Sequence, residues 1–160
     1  MDFSEYVAAR GRALWRAAWL LTGDSHLAED LVQTALTKAW PHFERVSGDG
    51  SFEAYVRRAM VTTYLSWRGR RWVGEIPSGR VPDVRVGDEH VDVDLLRALG
   101  SLSRQQRAVV VLRYFADLTE ADTAAALGCS VGTIKQHHSR AIAALRTSGL
   151  LDPDDAEEAR

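Results

Sequence analysis

The side chains in this chain with the clearest chemical use are those that could grip a nucleic acid. Lys135, Gln136, Ser139 and Arg140 recur at helical spacing within residues 119–146, TEADTAAALGCSVGTIKQHHSRAIAALR. Gln and Arg offer paired hydrogen-bonding groups to base edges, and Lys supplies a point charge for phosphate. The sequence around them carries the punctuation of two helices. Thr119 can cap a short Ala-rich helix, with Asp122 standing where a capping box would have Glu or Gln. Gly128 suits the left-handed turn past a helix end, and Ser130 can cap the helix that follows. That second helix has Ile134, Ala141, Ile142 and Leu145 on one side and the four polar residues on another. Ala124, Gly128 and Ile134 then occupy the close-contact, turn and core positions of a helix-turn-helix, whose second helix enters the major groove. An ordinary helical hairpin would carry the same caps, so this segment alone leaves both readings open.

A second group is cationic and aromatic. Arg57, Arg58, Arg68, Arg70 and Arg71 come with no acid between Glu53 and Glu75, and Trp67 and Trp72 are interleaved with the last of them. Bases stack on rings while guanidinium groups hold phosphates, a combination that suits unpaired strands. A solvated basic helix end, favoured by the helix dipole, is the alternative. A third group, Asp30, Gln33, Leu36 and Trp40, is spaced 3, 3 and 4 apart and mixes polar with apolar residues, as a seam for a partner helix would. The same spacing fits a wide helix inside a small bundle. No motif points to bond-making chemistry: the chain lacks a nucleophile elbow, a Gly-rich phosphate loop and a paired acid beside metal-binding His. His26, His42, His90, His137 and His138 include no i, i+4 pair beside a carboxylate, and the single Cys129 excludes a disulfide and a cysteine zinc site. The expectation is a protein that is not an enzyme and takes no cofactor or metal.

Helices must position these groups, and the hydrophobic spacing predicts an all-α chain. The first helix spans about Asp2 to Thr22, with Phe3, Tyr6, Val7, Leu14, Ala17, Ala18 and Leu21 on one face and Trp15 and Trp19 widening it. Gly23 closes it, Asp24 or Ser25 caps the next helix, His26 to Trp40, and Pro41 stops that one. PHFERVSGDGS reads as a loop. Ser51 to about Arg68 forms a third helix with Phe52, Tyr55, Val56, Ala59, Met60, Thr63 and Trp67 inward. Residues 73–93 have three Gly, two Pro and no helical period, and read as a linker. Beyond it come a short helix, Asp94 to Leu99, and a helix opened by a Ser103–Gln106 capping box. The latter is expected to turn Val109, Val110, Leu112 and Phe115 to the core and Arg104, Arg107 and Arg113 outward. The organisation is therefore a helical domain at 1–72, the linker, a helix-turn-helix domain at 94–150, and an acidic tail at 151–160.

Charge follows the same division. The whole chain has a formal net charge of −2, the wrong sign for a nucleic-acid binder, yet both domains are net basic while the linker and tail are net acidic. Local charge sets the field that a phosphate backbone feels. No apolar run approaches the length that spans a bilayer and MDFSE is no signal peptide, so a cytoplasmic location without membrane insertion is expected.

Taken together and in order, these segments resemble an extracytoplasmic-function sigma factor of the sigma-70 family, within it the actinobacterial SigE-like subgroup. AEDLVQTALTKAW (28–40) looks like the family's core-polymerase-binding helix, and FEAYVRRAMVTTYLSWRGRR (52–71) like the helix that melts and reads the minus-ten element. LSRQQRAVVVLRYF followed by the helix-turn-helix looks like the region that reads the minus-thirty-five element. The resemblance implies that Asp30, Gln33, Leu36 and Trp40 face the β′ clamp helices of RNA polymerase, with the β flap a further contact. It places Arg57, Arg58, Thr62, Trp67, Arg68, Arg70 and Arg71 along the nontemplate strand. It places Ser130, Thr133, Lys135, Gln136, Ser139 and Arg140 on upstream promoter DNA. Family members are often held by an anti-sigma factor, although no residue here identifies one. Two positions depart from the pattern: Thr62 stands where many members have Asn, and His138 where an apolar residue is usual. A homodimeric helix-turn-helix repressor or activator is the rival reading. It explains residues 119–146 equally well and leaves the Asp30–Trp40 seam and the Arg/Trp helix without a use.

Overall fold

A computed structural model describes residues 2–46, 51–67 and 93–147, which are helical apart from short turns and caps, with no strand among them. Helix α1 (Phe3–Thr22) starts at a full capping box in which Asp2 and Glu5 exchange side-chain bonds to each other's backbone N–H. It ends at Gly23, whose φ of 70° puts it in the left-handed region where a Cβ is unfavourable. Asp24 caps α2 (Ser25–Ala39) by accepting from the Leu27 N–H at 2.9 Å. Pro41 does end α2, but the following stretch is not the expected loop: a 3₁₀ turn (Trp40–His42) runs into a short helix α3 (Phe43–Val46). Proline is tolerated in a first turn, where its missing N–H is an orphan anyway, so it stops one helix and opens the next. Helix α4 (Ser51–Ser66) follows, and residues 47–50 of the expected loop lie outside the described residues.

The C-terminal half contains α5 (Val93–Gly100), α6 (Arg104–Val110), α7 (Glu120–Leu127) and α8 (Val131–Thr147). The Ser103–Gln106 capping box is present. Past Val110 the backbone widens into a π turn, Val111–Phe115, closed by the Ala116 N–H donating to the Val111 carbonyl at 3.1 Å. Ala108, Val109, Val110, Val111 and Leu112 are buried in succession along α6 and into this turn, because neighbouring helices cover them on more than one side. The π turn leaves Phe115 exposed (38%), contrary to the inward orientation that α-helical spacing predicts.

Packing joins the halves. Helix α4 lies against α2 and also against α7, and α1 touches α2, α5, α6 and the π turn. One cluster of buried side chains runs from Tyr6, Trp19 and Leu31 through Met60 and Tyr64 to Leu99, Leu112 and Leu145. Val61 and Tyr64 are buried although they fall outside the inward stripe of α4, since that helix is covered on more than one side. Val109, Ala124 and Ile134 form a smaller cluster with Cys129 packed at its margin, and this holds the helix-turn-helix to α6. The expected domain boundaries near 72 and 94 fall beside the undescribed residues 68–92, which include nearly all of the linker; the acidic tail lies wholly outside the described residues.

Candidate nucleic-acid interface

The helix-turn-helix is built as its sequence requires. Thr119 accepts from the Asp122 N–H at 3.0 Å, Gly128 has φ 69°, and Ser130 accepts from the Thr133 N–H at 3.1 Å. Ala124 and Ile134 are buried against Val109. Because Ile134, Ala141 and Leu145 are pinned inward, Lys135, Gln136, Ser139 and Arg140 are turned to solvent on one face of α8. Lys135 Nζ lies 4.0 Å from Glu120 on α7, a loose exposed pair. Ser130 and Thr133 are joined hydroxyl to hydroxyl at 2.9 Å, so Ser130 serves first as the cap.

His138 sits behind this face. Its Nε2 lies 2.5 Å from Tyr114 Oη, the two rings stacked with centroids 5.7 Å apart. Burial, with the Arg113 guanidinium adding to it, holds this imidazole below the ordinary His value, and Glu120 opposes them. It is therefore a neutral residue at the core margin. The π turn that aims Tyr114 at His138 carried no sequence signal of its own. Burial also raises the Cys129 thiol, which keeps it protonated.

On α4, Arg58 and Thr62 stand one turn apart on the exposed side, with Thr62 Oγ1 donating to the Arg58 carbonyl at 2.8 Å. Arg57 is half-buried and 3.9 Å from Glu53, which also accepts from Arg10 at 2.7 Å. Trp67 is half-buried against the core, while Arg68, Arg70 and Arg71 lie outside the described residues.

On α2, Asp30, Gln33 and Trp40 are exposed, but Leu36 is not: it is buried in the core. A 3-3-4 ladder drifts around the helix, and the exposed residue that falls between Gln33 and Trp40 is Thr37. Nothing in the apolar spacing of α2 marks Thr37 as part of this strip. Trp40, at 57% exposure, is the largest apolar group in solvent among the described residues. The ring of Phe3 meets it edge-on at 4.4 Å and also touches Phe43 and Phe52, so an aromatic cluster at the start of α1 props Trp40 outward. Lys38 Nζ donates to Thr63 Oγ1 at 2.8 Å and ties this surface to α4. Among the described residues no cluster of His, Cys, Asp and Glu is placed to hold a metal, and no helix is long and apolar enough to cross a membrane.

Comparison with known proteins places two family matches along the chain. Sigma-70 region 2 matches residues 6–73, and Sigma-70 region 4 matches residues 92–145. The RNA polymerase sigma-E factor of Streptomyces avermitilis is 40% identical over 150 residues, which is 91% of this chain and 84% of that one. The ECF RNA polymerase sigma factor SigL of Mycobacterium tuberculosis is 36% identical over 143 residues, 83% of this chain and 80% of that one. The sigma factor RpoE of Bartonella quintana, solved in complex with the anti-sigma factor NepR, superposes with a TM-score of 0.76 at 27% identity, covering 94% of this chain and 98% of that one.

Proposed function

The chain belongs to the sigma-70 family, in its extracytoplasmic-function group, and from that we propose that it is a dissociable promoter-specificity subunit of bacterial RNA polymerase. The observation that carries this is the succession of regions 2 and 4 in one chain, the second presenting an exposed polar face on α8. Residues 1–72 form the module that docks on core polymerase, Asp30, Gln33 and Trp40 meeting the β′ clamp helices with Thr37 beside them. Leu36 supports that surface from within. The domain at 94–150 meets the β flap and the minus-thirty-five element, and 73–93 spaces the two.

Opening of the promoter begins on α4. Arg58 and Thr62 with Arg57, Trp67, Arg68, Arg70 and Arg71 line the nontemplate strand, where stacking and guanidinium contacts offset the few kcal/mol needed to extract a base. On the upstream duplex Gln136 and Arg140 read base edges, while Lys135 meets phosphate and Ser130, Thr133 and Ser139 complete the contact. The chain makes and breaks no bonds itself; the polymerase supplies catalysis, so the protein works in the cytoplasm without cofactor or metal. An anti-sigma factor fits this reading as a regulator. The homodimeric repressor is disfavoured by the region 2 match, which a helix-turn-helix dimer does not need. A gel shift with and without core enzyme tests the proposal. The chain alone should hold promoter DNA weakly and core should confer tight, sequence-specific binding; tight specific binding by the isolated chain would overturn it.

A further inference from the structure

Glu53 stands in the first turn of α4, one helical turn before Arg57, and two arginines compete for its carboxylate. Arg10, from α1, donates its Nε–H to Oε1 at 2.7 Å. Arg57 Nη2 lies 3.9 Å from Oε2, at the outer limit of an ion pair. That order is the reverse of what α4 alone would choose. A Glu four residues before an Arg is the favourable helical arrangement, whereas Arg10 is 43 residues from Glu53 in the chain. The carboxylate is thus drawn towards α1, and the half-buried Arg57 guanidinium is left loosely held beside the exposed Arg58. The two helices are also joined here by Phe3 and Tyr6 meeting Phe52 edge-on, so the Arg10–Glu53 bond is not their only tie.

We propose that Arg10 is a positioning residue for strand capture: it occupies Glu53 and so keeps Arg57 available to the phosphates of unpaired DNA. This rests on the reading of α4 as the helix that lines the nontemplate strand. Two guanidinium groups around one carboxylate leave a net positive charge on this corner of α1 and α4. Without Arg10, Glu53 and Arg57 cancel and can close on each other along their own helix. A guanidinium forked onto a carboxylate has its donors spent, whereas one held at 3.9 Å has them free to turn to a phosphate. Arg10 therefore acts through Glu53 and need not touch the strand. The pairs are partly exposed, so exchanging one for the other shifts an equilibrium by no more than about fivefold.

The test is binding of reconstituted holoenzyme to a fluorescent oligonucleotide unpaired across the minus-ten element, titrated at several salt concentrations. Arg10→Ala should weaken capture about two- to fivefold. Glu53→Gln should bind at least as tightly as the parent, and the two changes together should return to the parent's affinity. Arg57→Ala should weaken capture and flatten the slope of log affinity against log salt by about 0.7, the share of one phosphate on a single strand. Glu53→Gln added to Arg57→Ala should then gain nothing, since no guanidinium is left to release. An Arg10→Ala loss that Glu53→Gln does not repair overturns the proposal and makes Arg10 a DNA contact or a tie between helices. So does an Arg10→Ala holoenzyme that captures the strand like the parent. A gain from Glu53→Gln in the Arg57→Ala background also overturns it, by reducing the effect to net charge. In each of these cases a weakened Arg57→Ala keeps the α4 reading. If Arg57→Ala instead binds the strand like the parent, the α4 reading fails and the proposal with it.

Discussion

Replacing Arg140 by Ala isolates the base-reading role assigned to α8. The guanidinium is exposed, one turn beyond Gln136, and makes no ion pair or hydrogen bond with a described residue. Truncation therefore removes nothing that holds the fold, and stability should change by no more than about 0.5 kcal/mol. A bidentate contact to a base is worth about 1–3 kcal/mol, which is about 5- to 150-fold in affinity. The penalty should be largest on the preferred upstream sequence and shrink on promoters whose contacted base pair is already wrong. The assay is equilibrium binding of reconstituted holoenzyme to promoters with each upstream base pair swapped in turn, beside thermal melts of the free chain. An equal loss on every promoter would refute base reading by Arg140 and leave it a phosphate contact. A melting point several degrees lower would refute the premise that the residue has no internal task.

Three further outcomes follow from the geometry. Trp40→Ala should weaken core binding by about 2 kcal/mol or more, as loss of a central aromatic anchor does; titration of core should show it, with the same deficit on every promoter. His138, whose imidazole is held below its ordinary value, contributes stability that is intact above the unfolded-state value near 6.5. That contribution is lost as pH falls from there through the folded value, so the parent should lose melting temperature between about pH 7 and 5 more steeply than His138→Gln. Tyr6 Oη is buried without a hydrogen-bond partner among the described residues, and burial together with Glu53 pushes its phenol up to about 12. Tyr6→Phe removes an unsatisfied polar atom and should be neutral or stabilising in urea melts; a loss above about 1 kcal/mol would point to a hidden partner.

Much of this was legible in the sequence because local rules decided it. Gly23 and Gly128 fix helix ends through their left-handed φ, and Asp24, Ser103, Thr119 and Ser130 cap helices through nearby N–H groups. The polar face of α8 followed from the period of Ile134, Ala141 and Leu145. What was misjudged depended on partners distant in the chain or on a change of helical pitch. Spacing leaves Leu36 open between a partner seam and a wide core face and the family resemblance places it on the seam, yet α2 is covered by both α1 and α4, which leaves a narrower exposed strip. Arg104 and Arg107, expected to face outward, donate to the carbonyls of Tyr64 and Leu20, 40 and 87 residues away and beyond the range of any helical period. Phe115 and Tyr114 depend on one wide turn, and nothing in LRYFADL announces a fifth residue in it. In the segment 41–46 Pro41 signals only the end of one helix to a reading of local rules, although it also opens the next.

The most direct measurement is association of the purified chain with bacterial core RNA polymerase at low salt, followed by transcription from a promoter library. A sigma factor of this family should bind core as a single equivalent and select templates sharing two upstream elements at one fixed spacing. Asp30→Ala should lower output from all of those templates alike. A chain that fails to bind core, or that gives transcripts with no shared upstream sequence, would contradict the proposed role.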